Sequence, residues 1–293
     1  MAATKSIFAR MPWFDRAGNF SILKTTTLVL VSLPAVWLLI RALFLGLGPR
    51  PLTEAIHFVG DWTIYLLLVT LAVTPARRLL DWNKLIQVRR IIGLSALFYI
   101  LLHFSLYTID SRLDPVFVAK EIVSRVYLTI GFTALLGLVA LGVTSTDGMV
   151  KRMGGKNWAR LHKLIYIIVP LGILHYYMQS KLIVSPAVYV SGVYFWLMGY
   201  RIMSSRLGIK QGLLPLVGLT IVATLLTVAV EALWYGLATR IDVNLVLSAN
   251  LGTQNGIRPS WWVFATGLGV AVIAEIRQRF APVRPQTRTA RAT

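Results

Sequence analysis

Long apolar runs recur along this chain and leave room for little besides helices that cross a membrane. A helix of roughly 20 residues spans the ~30 Å hydrocarbon core of a bilayer. Within lipid every backbone N–H and C=O must be satisfied inside the structure, so each run has to be helical. The runs predict spans over about 25–47, 57–79, 91–109, 122–143, 158–179, 182–203, 213–239 and 259–276. The expected fold class is all-α, a polytopic transmembrane helical bundle. Composition agrees. Hydrophobic residues make up 56% of the chain and charged ones only 14%, against about 25% charged in soluble domains.

The formal net charge of +19 would by itself suit a nucleic-acid binder. Its placement argues against that partner. Arg77, Arg78, Lys84, Arg89 and Arg90 stand against Asp81 between the second and third runs. Lys151, Arg152, Lys156, Arg160 and Lys163 stand against Asp147 between the fourth and fifth. Arg206 and Lys210 follow the sixth run, and Arg277, Arg279, Arg284, Arg288 and Arg291 follow the last. The alternate loops are balanced or sparse: Arg50 with Glu54, then Asp110 to Arg125 with both signs, then Lys181 alone. Basic loops mark the cytoplasmic side, so both termini are expected there, in agreement with an even number of spans. The expected surroundings are the lipid bilayer, with no nucleic acid.

The chain has no cysteine. Disulfides, thiolate-held iron–sulfur clusters and c-type haem attachment are excluded. No GxGxxG or GxxxxGK occurs, so no nucleotide-binding fold is encoded. Residues 1–24 are polar and basic without a small-residue cleavage site, and read as a retained cytoplasmic segment. Residues 281–293, with Pro282, Pro285 and several arginines, read as a disordered basic tail.

There are four histidines, His57, His103, His162 and His175, all within or at the ends of spans. An ionisable residue inside a span is costly and therefore a functional candidate. A neutral imidazole is also the ordinary axial ligand of haem iron. His103 follows Arg90 by 13 residues, and His175 follows His162 by 13, which raises each roughly 20 Å up its helix. His103 and His175 thus reach a similar depth in the outer half, where two imidazoles facing across a bundle would form a bis-histidine haem site, provided the third and fifth spans face each other. His162 lies in the inner half with no second histidine at its level. Arg89 stands there instead, suited to a haem propionate or a flavin phosphate. The inner site is open between a haem with another sixth ligand, a flavin and a quinone. On a straight helix His162 and His175 would point about 140° apart, unless Pro170 kinks or rewinds it. Glu231 and Arg201 are buried-charge candidates with no partner evident in the sequence.

Several segments occur in an order that resembles a known family. They are Arg89-Arg90-Ile91-Ile92-Gly93-Leu94 leading to His103, Lys120-Glu121 leading to Tyr127-Leu128-Thr129-Ile130-Gly131, Thr144-Ser145-Thr146, and Trp158-Ala159-Arg160-Leu161-His162 leading to Leu174-His175-Tyr176. His57-Phe58-Val59-Gly60 and Thr74-Pro75 add to the likeness. The pattern resembles the MsrQ (YedZ) family, haem-binding membrane subunits of the periplasmic methionine sulfoxide reductase system. Wider relatives are the ferric-reductase-like transmembrane domains, including NADPH oxidases and STEAP metalloreductases. The likeness covers about residues 24–206.

The resemblance implies an electron-transfer subunit rather than the catalytic one, in a bacterial inner membrane. Electrons would enter from a cytoplasmic flavin reductase or the quinone pool. They would pass through haem b, with FMN also associated, to a periplasmic molybdopterin-containing catalytic subunit. The family's haem ligands fall on His103, His162 and His175, and one or two haems are both compatible with the sequence. The alternative is a ferric or cupric metalloreductase acting directly at the outer face. The implied organisation is a cytoplasmic segment over 1–24, a six-span core over 25–206, two additional spans over 207–280 and the tail over 281–293. The two extra spans depart from the family pattern.

Overall fold

The computed structural model describes residues 11–14, 18–180, 183–208, 212–253 and 256–280. Lys181, Lys210, most of the expected N-terminal segment and the expected tail with Arg284, Arg288 and Arg291 lie outside the described residues. Apart from one isolated bridge between Phe14 and Phe20, the regular structure described is helical.

The elements are α1 (Ile22–Ile40), continued by a π turn over Arg41–Leu45, α2 (Pro51–Leu79), α3 (Arg89–Asp110), α4 (Pro115–Ser124), α5 (Val126–Val143), α6 (Asp147–Met153), α7 (Gly155–Leu161), α8 (Ile165–Ser180), α9 (Ser185–Ser205), α10 (Leu213–Trp234), continued by a π turn over Tyr235–Thr239, α11 (Val243–Leu251) and α12 (Pro259–Arg279). Among the described residues, seven helices are long and apolar enough to cross a membrane: Ile22–Leu45, Pro51–Leu79, Asn83–Asp110, Val126–Val143, Gly155–Ser180, Leu213–Thr239 and Pro259–Arg279. The chain is thus a multi-pass membrane protein of all-α class.

The sequence predicts eight spans, and the difference is α9. This helix has the length but not the apolarity, because protein rather than lipid surrounds it. It packs against α2, α8, α10 and α12, and it buries Val188, Val190, Ser191, Gly192, Trp196 and Tyr200. A helix enclosed by other helices can carry hydroxyls and a guanidinium that a lipid-facing helix could not.

The fourth run also divides differently. Arg125 is extended, with φ −116° and ψ 109°, and separates α4 from α5. Asp114 caps α4 by accepting from Val116 N and Phe117 N, and Pro115 occupies the first helical position. This is a strong helix start, so residues 122–124 end α4 and do not begin the span.

Helices α2, α3, α5 and α8 form a closed ring in which each packs on its two neighbours. Two members, α3 and α8, face each other diagonally across the interior. Helices α1 and α3 are joined through a proline. Pro34 disturbs the α1 ladder, and the Tyr99 hydroxyl enters the gap. It accepts from Ala35 N at 2.9 Å and donates to Val31 O at 2.8 Å. Tyr99 is only 1% exposed. A second proline is repaired the same way. Pro170 has no N–H for Tyr166 O, four residues back, and Tyr194 Oη donates to that carbonyl at 3.0 Å.

Glu231 of α10 is fully buried. It accepts from Asn250 Nδ2 at 2.8 Å and is paired with Arg258. Asn250 accepts in turn from Ser260 Oγ at 2.7 Å. The buried acid therefore ties α11 and the start of α12 to α10, which supplies the partner that the sequence left unnamed.

Replacing Tyr99 by Phe strips two backbone groups of α1 at once, and each orphaned buried group costs about 1–3 kcal/mol. Tyr99→Phe is expected to lower the unfolding temperature of the purified protein in detergent by several degrees, whereas Phe98→Leu on the exposed neighbouring position is expected to leave it unchanged.

Candidate functional site

The ring of four helices encloses a cavity of about 430 Å³. Its lining includes His103 and Phe104 from α3, His175 and Tyr176 from α8, Gly60 from α2 and Gly131 from α5. His103 and His175 approach each other across it. Their ring centres are 6.3 Å apart and their planes are perpendicular, at 88°. The expected outer pair is therefore brought together, by the diagonal facing of α3 and α8.

Each imidazole is held by the same device. His103 Nδ1 lies 2.8 Å from Ile56 O of α2. His175 Nδ1 lies 2.8 Å from Tyr127 O of α5. A carbonyl can only accept, so each Nδ1 carries the proton and each Nε2 keeps its lone pair. A helix residue four positions beyond each carbonyl lies beneath the ring, and both are glycine. A Cβ on Gly60 would fall 3.0 Å from His103 Nδ1, and a Cβ on Gly131 would fall 2.7 Å from His175 Nδ1. Glycine lets the ring lie against the helix backbone closely enough to reach the carbonyl. The Tyr127 ring adds a stacked contact to His175, 6.0 Å between centres.

The separation fits an iron ion that the two rings would hold between them. A metal–imidazole bond is about 2 Å long, and the nitrogen lies about 1.1 Å from its ring centre, so two such arms span roughly 6 Å. The second nitrogen of each ring is anchored to a carbonyl, as metal-ligating histidines usually are. Among the described residues no group of three or more His, Asp or Glu is placed to hold a bare ion. Two opposed imidazoles instead suit a porphyrin iron, which brings its other four ligands with it.

The cavity has a polar end, where Asp61, Tyr176 and Gln179 join His57, the one of these four named as a candidate from the sequence. Asp61 lines it and is hydrogen-bonded to Tyr176. His57 Nε2 lies 3.2 Å from the Gln179 amide, also at the cavity wall. Asp61 was detectable as a carboxylate within an apolar run. Gly60 and Gly131 occur in the segments that carry the family resemblance, but only the packed structure shows what they touch.

His162 is elsewhere. It starts a 3-10 turn over His162–Leu164 between α7 and α8, so the helix is rewound there, five residues or more before Pro170. Its Nδ1 lies 3.1 Å from Trp158 O and its Nε2 lies 3.3 Å from Ser145 Oγ. The ring also stacks on Trp158 with centres 3.9 Å apart. Both nitrogens are engaged, and as an iron ligand His162 would first have to give up one of these bonds. Arg89 lies within electrostatic range of His162. These two come together at the basic face of the bundle, away from the His103–His175 cavity.

Gly131→Ala must displace the His175 ring from Tyr127 O. The expected result is an at least tenfold weaker retention of an iron porphyrin by the purified protein, read by titration and absorbance, with a smaller effect for Gly60→Ala, whose added methyl has 0.3 Å more room.

Comparison with known proteins bears on this geometry. The family described as ferric reductase like transmembrane component matches residues 59–173, which contain Gly60, His103, Gly131 and His162. The protein-methionine-sulfoxide reductase heme-binding subunit MsrQ of Herminiimonas arsenicoxydans is 44% identical over 57% of this chain and 77% of its own length. The MsrQ of Rhodospirillum rubrum is 38% identical over 69% of this chain and 95% of its own length. That of Caulobacter vibrioides is 41% identical over 59% and 83%. No solved structure matches. With most of the length of these relatives covered at such identity, and with a helical bundle enclosing two opposed histidines, this chain belongs to the MsrQ family.

Proposed function

We propose that this chain is a haem b electron-transfer subunit of a protein-methionine-sulfoxide reductase system, in which His103 and His175 would hold the iron. The observation that supports this best is the pair itself: two imidazoles 6.3 Å apart across one cavity, each anchored through Nδ1. The relatives are named as heme-binding subunits of that reductase. Haem supplies a one-electron relay. The protein's own part is to hold both rings in one tautomer and to exclude water with the apolar walls formed by Ile64, Leu135 and Leu138. Asp61, Tyr176 and the His57–Gln179 pair provide polar contacts at one end of the same cavity.

The acceptor in this reading is a periplasmic molybdopterin-containing catalytic subunit. Reduction of one sulfoxide to a thioether and water there consumes two electrons and two protons, so two electrons must be delivered per turnover. Electrons come from a cytoplasmic flavin reductase or from quinol. The basic face is cytoplasmic, which puts both termini inside and the His103–His175 pair in the outer half of an inner membrane. FMN belongs at the basic face, where Arg89 offers its phosphate a guanidinium and His162 is a neighbour.

The dithionite-reduced minus oxidised spectrum of the purified protein is expected to show b-type haem bands. His103→Ala and His175→Ala are each expected to lose them, while His57→Ala keeps them. Absence of the bands from the wild type would refute the haem reading, and their persistence in both ligand variants would refute this ligand pair. Faster electron delivery to the purified sulfoxide reductase subunit than to soluble ferric chelates is expected; the reverse would identify a metalloreductase.

A further inference from the structure

A carboxylate lies in the wall of the histidine cavity, and holding the two imidazoles does not require it. Asp61 follows Gly60, the residue against which the His103 ring rests. It is hydrogen-bonded to Tyr176, the chain neighbour of His175. Tyr176 is hydrogen-bonded in turn to Tyr65, one turn along α2 from Asp61. An ionised carboxylate only accepts and a phenol has one proton to give, so the donors run from Tyr65 to Tyr176 to Asp61. His57, one turn before Asp61 on the same helix face, acts on it electrostatically.

A carboxylate among apolar side chains is costly unless hydrogen bonds meet its charge. Two phenols in series meet it here, in a cavity that Ile64, Leu67, Leu135 and Leu138 also line. Such walls screen a charge far less than water does. A fixed negative charge in them favours the more positive redox state of an iron centre, which is the oxidised one. Unit charges on the order of 10 Å apart, at an effective dielectric constant of about 20, shift a one-electron equilibrium by about tenfold. Asp61 lines the same cavity as both imidazoles, so its charge acts over that kind of distance.

We propose that the Asp61 carboxylate, held by Tyr176 and Tyr65, lowers the reduction potential of the iron centre between His103 and His175 by stabilising its oxidised state. The inference rests on the haem reading and adds to it the residue that makes the centre a stronger electron donor. Asp61 acts through its charge, and the two tyrosines act by keeping that charge in the cavity wall.

The test is a redox titration of the full-length protein purified with its haem, followed at the b-type absorbance bands. Asp61→Asn keeps the size of the side chain and removes its charge. Its midpoint potential is expected to rise by the equivalent of about a tenfold change in the oxidised-to-reduced ratio, ~59 mV for one electron. Asp61→Glu keeps the charge and is expected to stay near the wild-type value. Gln179→Glu adds a carboxylate at the same end of the cavity and is expected to lower the midpoint. A midpoint in Asp61→Asn equal to or below that of the wild type would overturn the proposal. So would Asp61→Glu shifted as far as Asp61→Asn, because altered packing would then account for both. If Asp61→Asn retains no haem, Gln179→Glu decides, and an unchanged or raised midpoint there overturns the proposal. A wild type without haem bands refutes the haem reading and this proposal with it. Bound haem whose potential is indifferent to Asp61 leaves that reading standing and removes only this proposal.

Discussion

The site depends on one repeated interaction, an imidazole N–H given to a helix carbonyl above a glycine. The carbonyls of Ile56 and Tyr127 fix the protonated nitrogen of His103 and His175, and so leave the other nitrogen of each facing the cavity. Without that bond a histidine on a helix has several rotamers and two neutral tautomers. With it, the ring has one orientation and one free lone pair. Gly60 and Gly131 make the bond reachable, because any side chain there would occupy the space of the ring. The four helices α2, α3, α5 and α8 are thereby linked in two neighbouring pairs, α3 to α2 and α8 to α5. The same bonds that hold the helices together also orient the two imidazoles.

Elsewhere the bundle solves the problem that lipid sets for any backbone defect. Pro34 and Pro170 each disturb a helical ladder where water is scarce. In each case a tyrosine hydroxyl from a neighbouring helix repairs the damage, Tyr99 at the first and Tyr194 at the second. The repair is also a tertiary contact, so the defect becomes a fixed point between helices. Glu231 works in the same sense. A buried carboxylate is tolerable because Asn250 and Arg258 meet it, and their doing so seats α11 and the start of α12 against α10.

The two ends of the bundle are chemically unlike. One end of the cavity is lined by an imidazole, an acid, a phenol and an amide, in His57, Asp61, Tyr176 and Gln179. The basic face is crowded with arginines that have few acids to meet.

The sequence alone determined the fold class and which residue types were candidates for the site. Apolar runs of membrane length can be satisfied only as helices, and histidines inside them at matched depth pointed to a pair. His103 and His175 were legible for that reason, as was the basic face. Neither the break at Arg125 nor the enclosure of α9 could be read that way. A hydropathy pattern records how apolar a segment is, not whether lipid or protein surrounds it. Depth likewise says nothing of azimuth, so the sequence could not decide whether the third and fifth spans faced each other, or that His162 would turn toward Ser145 and Trp158. Those facts depend on contacts between residues far apart in the chain. Only the packed structure decided that the two histidines meet across one cavity, since that depends on glycines and carbonyls of two other helices, which carry no chemical signal until they are brought alongside the rings.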